Sequence, residues 1–236
     1  MTHDGSTPSS SDAATIDHGR TFTSLDPRDE SVLGRYPPIM DAADVATTVD
    51  RARTSARWCG QLGLRGRREL LLEFKKVIAT ESDSLVSVIS AETGKPHDAG
   101  FFEVMLTVEY LDWAARNAQK VLRPRRVPSA VPSMNQKAIV EYLPLRVVGV
   151  IGSWNFPAFT PMGSISFALA AGNAVVFKPS ELTPGVGTWF EKTWVSVVPG
   201  HPVLQVVTGF ERPARPLRDP VSTRSRSPVP VPRRAK

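Results

Sequence analysis

Apolar positions along the chain change their spacing twice. Across residues 40–123 they recur at helical intervals. "DAADVATTVDRARTSARWC" sets Val45, Val49 and Ala52 on one side, and "RRELLLEFKKVIATESDSLVSVISAETG" sets Leu71, Phe74, Ile78, Leu85 and Ile89 on one stripe. That spacing predicts helices that each bury a single face. Gly94 followed by Pro96 stops the second of them, in the order of a left-handed C-cap and a helix breaker. "FFEVMLTVEYLDWAARNAQKVL" predicts a further long amphipathic helix, and Pro124, Pro128 and Pro132 then interrupt the chain. "KAIVEYLPL" alternates as an edge strand or half of a hairpin.

From Arg146 onward the pattern changes again. "RVVGVIG" and "NAVVFKPS" are unbroken apolar runs, as expected of strands covered on both faces of a parallel sheet. "MGSISFALAAG" between them predicts a helix ending at Gly172, "TPGVGTWFEKTWVSVV" a second helix, and "LQVVTGF" a third strand. The order β-α-β-α-β implies parallel pairing through right-handed crossovers. The expected fold class is α/β: an N-terminal helical region followed by a partial Rossmann-like parallel sheet.

The expected organisation has five parts. Residues 1–35, rich in Ser, Thr, Asp and Gly, bury too little to offset ordering entropy and are expected to be disordered or loosely attached. Residues 36–123 form the helical part, 124–146 a connector with an edge strand or hairpin, and 147–210 the β-α-β-α-β unit. Residues 211–236 form a basic Pro/Arg-rich tail.

Charge follows this division. The formal net charge is +6, and residues 211–236 alone account for it, with seven arginines and Lys236 against Glu211 and Asp219. Residues 1–210 carry 21 basic and 21 acidic side chains, so the basic balance does not describe the domain surface. The tail has no aromatic side chain to stack on a base, and no specific nucleic-acid partner is expected. The single cysteine, Cys59, permits no intramolecular disulfide. His3, His18, His97 and His201 have no metal-pair spacing, so no metal site is expected. The chain shows no 18-residue apolar run and no secretory pattern at its start. The expectation is a cytoplasmic protein without a membrane partner.

The candidate chemistry lies in Ser153-Trp154-Asn155-Phe156-Pro157, where the first buried strand ends. Ligands of open parallel sheets bind just outside that end. Asn155 offers an amide donor there and Trp154 a flat apolar wall. Lys178 and Glu181 follow the next strand and project from the same edge, where both can hydrogen-bond a diol such as a ribose. The spacing equally allows Asn155 as a turn residue, Trp154 as a core aromatic and Lys178–Glu181 as a surface pair.

Three separated motifs, "VVGVIGSWNFP", "ALAAGNAVVFKPSELTP" and "ETGKP" (Glu92–Pro96), closely resemble the NAD(P)-dependent aldehyde dehydrogenase superfamily between about Ala42 and Phe210. The resemblance implies NAD or NADP lying across the sheet without a glycine fingerprint. It implies that Asn155 donates to the oxyanion formed when a cysteine attacks the aldehyde. Lys178 and Glu181 would hold the adenosine ribose, and Ile151, Ser153, Trp154, Pro179 and Ser180 would line the cofactor. Glu181 leans toward NAD by repelling a 2′-phosphate, Lys178 tolerates one, and the preference between NAD and NADP stays open. The intact family acts on small-molecule aldehydes, and a homo-oligomer is expected.

The resemblance stops after "VVTGF". The nucleophilic cysteine and general-base glutamate of the family are expected further on, and Cys59, in "ARWCGQLG", is not placed to replace the cysteine. Shifting the codons for residues 219–230 back by one base permits "GSGVDAIAFTGS", which resembles the next strand and turn of the family. The expectation is therefore a frameshift between about Phe210 and Asp219, giving an inactive fragment that binds NAD(P) weakly or not at all. The alternatives are a half-enzyme completed by a separate C-terminal chain, and a non-enzymatic binding protein with a basic tail.

Overall fold

The structure is a computed structural model that describes residues 21–38, 42–128, 131 and 135–209. The described chain begins with a hairpin, β1 (Phe22–Leu25) and β2 (Val32–Tyr36), followed by four helices, α1 (Ala42–Gln61), α2 (Gly63–Thr80), α3 (Ser82–Thr93) and α4 (His97–Leu122). A short antiparallel pair, β3 (Arg125–Val127) and β4 (Ala138–Val140), leads into the sheet unit. That unit comprises β5 (Val147–Ile151), α5 (Phe159–Ala170), β6 (Ala174–Lys178), α6 (Pro184–Val197) and β7 (Leu204–Val206).

The sheet order is β5-β6-β7, all parallel, with Val147 opposite Ala174, Ile151 opposite Lys178, and Phe177 opposite Val206. Every residue of β6 is buried, as its continuous apolar run requires. The helical stripes meet this core. Val45, Val49 and Ala52 of α1 and Leu71, Phe74 and Ile78 of α2 are buried, and Phe74 meets Trp194 of α6 edge-on with ring centroids 5.1 Å apart. Arg67, also buried, donates to the carbonyl of Ala170 at 3.0 Å and to that of Gly60 at 3.3 Å. One guanidinium therefore satisfies carbonyls at the carboxyl ends of both α5 and α1, where a cation is favoured.

The two edges of the sheet differ. The Val206 amide on the outer edge of β7 donates to Glu191 of α6 at 2.9 Å, which blunts that edge. Among the described residues no strand pairs with the far side of β5. A sheet running outward as first, second and third strand is one half of a doubly wound sheet. Its switch point lies at the carboxyl end of the first strand, here β5.

Two expectations need correction. Residues 21–36 are not loosely attached. Phe22 is buried with its ring 5.8 Å from that of Tyr36, and the Ser24 hydroxyl donates to Glu92 at 3.0 Å. The anchoring groups come from the helical region and the hairpin itself, so local composition does not reveal them. The stripe from Leu71 to Ile89 is also split. α2 ends at Thr80, and Glu81 takes φ −99°, ψ 24° before α3 begins. Residues 1–20 and the tail 211–236 lie outside the described residues.

Candidate functional site

β5 and β6 close tightly at their carboxyl ends. The Gly152 amide donates to the Lys178 carbonyl at 2.8 Å, and a Cβ at 152 would stand 2.8 Å from the Phe177 ring. Only glycine permits that approach. Beyond it Trp154, Asn155 and Phe156 are exposed, Pro157 and Ala158 are buried, and α5 begins at Phe159. The Ser153 hydroxyl oxygen is buried without a hydrogen-bond partner.

The end of β6 supplies the opposite wall. Lys178 is buried, its ammonium donating to the Pro179 carbonyl at 3.2 Å and lying 3.8 Å from Glu181 Oε2. The side chain of Glu181 keeps 39% of its surface exposed. The pair therefore has an inner cation and an outer carboxylate, unlike a surface pair. Ser180 Oγ accepts from the Leu182 amide at 3.3 Å and donates toward Glu181 Oε2 at 3.5 Å. Pro179 packs against Gly187 so closely that a Cβ there would fall 2.7 Å from its Cγ. Ile151, Ser153, Trp154 and Asn155 thus face one sheet edge together with Lys178, Pro179, Ser180 and Glu181.

Two further residues, which spacing did not single out, hold this edge. Glu103 of α4 is fully buried. Its Oε1 accepts the amides of Ala158 at 2.8 Å and Phe159 at 3.2 Å, the first turn of α5, while its Oε2 pairs with Lys95 at 2.7 Å. The Lys95 ammonium lies 4.0 Å from the centroid of the Phe156 ring, a cation–π contact. Glu92 acts likewise at α6, accepting the amides of Gly185 at 2.7 Å and Val186 at 3.0 Å. A helix N-terminus ordinarily offers its free amides and positive dipole to a phosphate. Here protein carboxylates occupy both, which gives a physical reason for the absence of a glycine-rich phosphate turn after β5.

The "ETGKP" stretch is accordingly a structural junction. Glu92 caps α6, Gly94 ends α3 at φ 71° with its amide on the Ser90 carbonyl, Lys95 joins Glu103, and the Pro96 carbonyl accepts from Gly100. Burial pushes the Glu92 carboxyl up to about 7, against the lowering effect of its amide and Ser24 hydrogen bonds. Burial also pushes the Cys59 thiol up to about 11. A buried thiol of that kind is not a nucleophile.

The fold is one half of a doubly wound α/β sheet whose first strand ends without a glycine fingerprint. Comparison with known proteins makes the family explicit. The model of the aldehyde dehydrogenase family matches residues 15–216, so the chain belongs to that family. It is similar to the N-succinylglutamate 5-semialdehyde dehydrogenase of Ectopseudomonas mendocina, at 33% identity over 81% of this chain and 38% of that protein. Among solved structures it resembles an aldehyde dehydrogenase from Brucella melitensis biovar abortus 2308, with a TM-score of 0.77 and 26% identity over 82% of this chain and 39% of the other. It also resembles PnpE in complex with nicotinamide adenine dinucleotide, with a TM-score of 0.76 and 29% identity over 82% of this chain and 39% of that one. The chain spans about a third of the length of the curated relatives it matches. No helix among the described residues is long and apolar enough to cross a membrane.

Proposed function

We propose that the chain supplies the coenzyme-binding edge of an NAD(P)-dependent aldehyde dehydrogenase, an enzyme that oxidises an aldehyde to a carboxylic acid. The observation that carries this reading is the convergence of the β5 and β6 ends on one edge, beside the switch point. The edge suits a dinucleotide. Ser153 offers a buried hydroxyl without a partner, and Glu181 offers an open carboxylate beside the buried Lys178 ammonium.

When bound, NAD(P) supplies the hydride acceptor. Glu181 accepts from the ribose hydroxyls and Lys178 donates to them. Ile151, Trp154, Ser153, Pro179 and Ser180 line the coenzyme. The Asn155 amide donates to the aldehyde oxygen as it gains negative charge during attack by a cysteine. Cys59 is not that cysteine, being buried with a raised thiol pKa. The chain alone therefore turns over no aldehyde. Glu181 disfavours a 2′-phosphate while Lys178 accepts one, so both NAD and NADP fit this edge, and the working enzyme is a cytoplasmic homo-oligomer.

The test is a fusion of residues 1–209 to the downstream remainder of the Ectopseudomonas mendocina relative, assayed for aldehyde-dependent coenzyme reduction. Asn155→Ala should lower kcat by about 100-fold or more, and Glu181→Leu should raise the KM for the coenzyme. A folded, active fusion indifferent to both substitutions would overturn the reading.

A second reading concerns the tail. The codons of residues 219–230 permit a family-like strand and turn in another frame, and the family match ends at residue 216. We infer that the reading frame is lost between about Phe210 and Asp219. Resequencing the gene from the Val206 codon past that of Lys236 tests this. A missing base supports it. The printed sequence with a start codon and family motifs downstream supports a chain completed in trans instead.

A further inference from the structure

We infer that the Lys95–Glu103 pair is the positioning device of the Trp154–Ala158 turn and so fixes where Asn155 presents its amide; this rests on the reading of Asn155 given above. The turn is exposed where Asn155 stands, and its geometry is set by its two ends and one flank. At the upstream end the Gly152 amide bonds to the Lys178 carbonyl at 2.8 Å. At the downstream end the amides of Ala158 and Phe159 converge on one oxygen of Glu103. On the flank Lys95 covers the Phe156 ring at 4.0 Å.

The downstream anchor and the flank share a single carboxylate. Glu103 gives Oε1 to the backbone of the turn and Oε2 to Lys95 at 2.7 Å. Glu103 is fully buried while the Lys95 side chain keeps 21% of its surface exposed. A carboxylate so placed needs its cation. Loss of Lys95 therefore acts twice on the stretch that follows Asn155: it removes the charge over Phe156 and leaves the carboxylate that holds Ala158 uncompensated. Both partners come from the helical region, so the α3–α4 junction and α4 reach across to set the geometry at the sheet edge.

The test compares Lys95→Met with Lys95→Arg in the full chain and in the fusion. The expected result in the chain is selective. Hydrogen exchange at the Ala158 and Phe159 amides speeds up by about tenfold, and the side-chain amide resonances of Asn155, assigned with Asn155→Asp, shift. Gly185 and Val186 in α6 keep their exchange rates. Arginine retains the charge, pairs with a carboxylate and stacks on an aromatic face, so Lys95→Arg should restore both signals. In the fusion, Lys95→Met should lower kcat and leave the coenzyme KM unchanged.

Exchange that rises uniformly along the chain, or Asn155 resonances that do not move, would overturn the inference. If Lys95→Met does not fold, Lys95→Met combined with Glu103→Gln removes both charges while keeping a carbonyl acceptor for Ala158; the Asn155 resonances should still shift because the cation over Phe156 is gone, and unmoved resonances overturn the inference. The two proposals separate in the fusion. If Asn155→Ala lowers kcat and Lys95→Met does not, the positioning role falls. If neither does while the turn loosens, the functional reading falls.

Discussion

The helices that follow the first two sheet strands begin over buried carboxylates, and the two carboxylates are held differently. At α5, Glu103 accepts two amides and pairs with Lys95. At α6, Glu92 accepts two amides and a hydroxyl from Ser24, with Tyr36 close by. One site is compensated by a cation and the other is compensated by dipoles. The α5 site braces the turn bearing Asn155. The α6 site has its proton affinity raised by burial and binds the N-terminal hairpin instead. The same helix-end physics fixes the turn bearing Asn155 in one place and the N-terminal hairpin in the other.

Breaking the α5 site should give the largest effect. Glu103→Leu orphans the buried Ala158 amide and the half-buried Phe159 amide and strands Lys95 over Phe156. The expected loss is about 3–5 kcal/mol in chemical denaturation. Glu92→Ala should cost less, about 2–4 kcal/mol. It leaves the amides of Gly185 and Val186 unpaired but strands no cation.

The pH dependence sharpens the contrast. The Glu92 carboxyl is raised from 4.5 to about 7, so the folded state holds a proton that the unfolded state releases first. Its contribution is complete below pH 4.5 and is lost as pH rises toward 7. Thermal melts across that window should show stability falling by about 1–3 kcal/mol with rising pH, and the slope should flatten in Glu92→Gln. The smallest effect should come from Ser24→Ala, about 0.5–1.5 kcal/mol. Its mark is faster hydrogen exchange confined to β1 and β2; unchanged exchange there would show that Phe22 alone anchors the hairpin.

Legibility in the sequence follows the range of the interactions concerned. β5 and β6 announce themselves because strands covered on both faces need unbroken apolar runs. Their ends announce the candidate site, because parallel strands place their carboxyl ends along one edge. The break at Thr80–Glu81 is silent, since neither Gly nor Pro marks it. The hairpin is silent too, because Ser24 finds its partner 68 residues away. Glu103 reads as one more charge on an amphipathic helix, and its bond to the Ala158 amide spans 55 residues.

The sequence by itself determined the α/β class, the order of the sheet unit, the family and the group of residues at the β5 and β6 ends. Each of these rests on short-range periodicity or contiguous wording. Only the tertiary structure decided that Lys178 is the buried member of its pair, that two carboxylates fill the helix N-termini, and that Lys95 overlies Phe156. Those outcomes depend on burial and on contacts between distant segments, and a buried charge looks the same in a sequence as an exposed one.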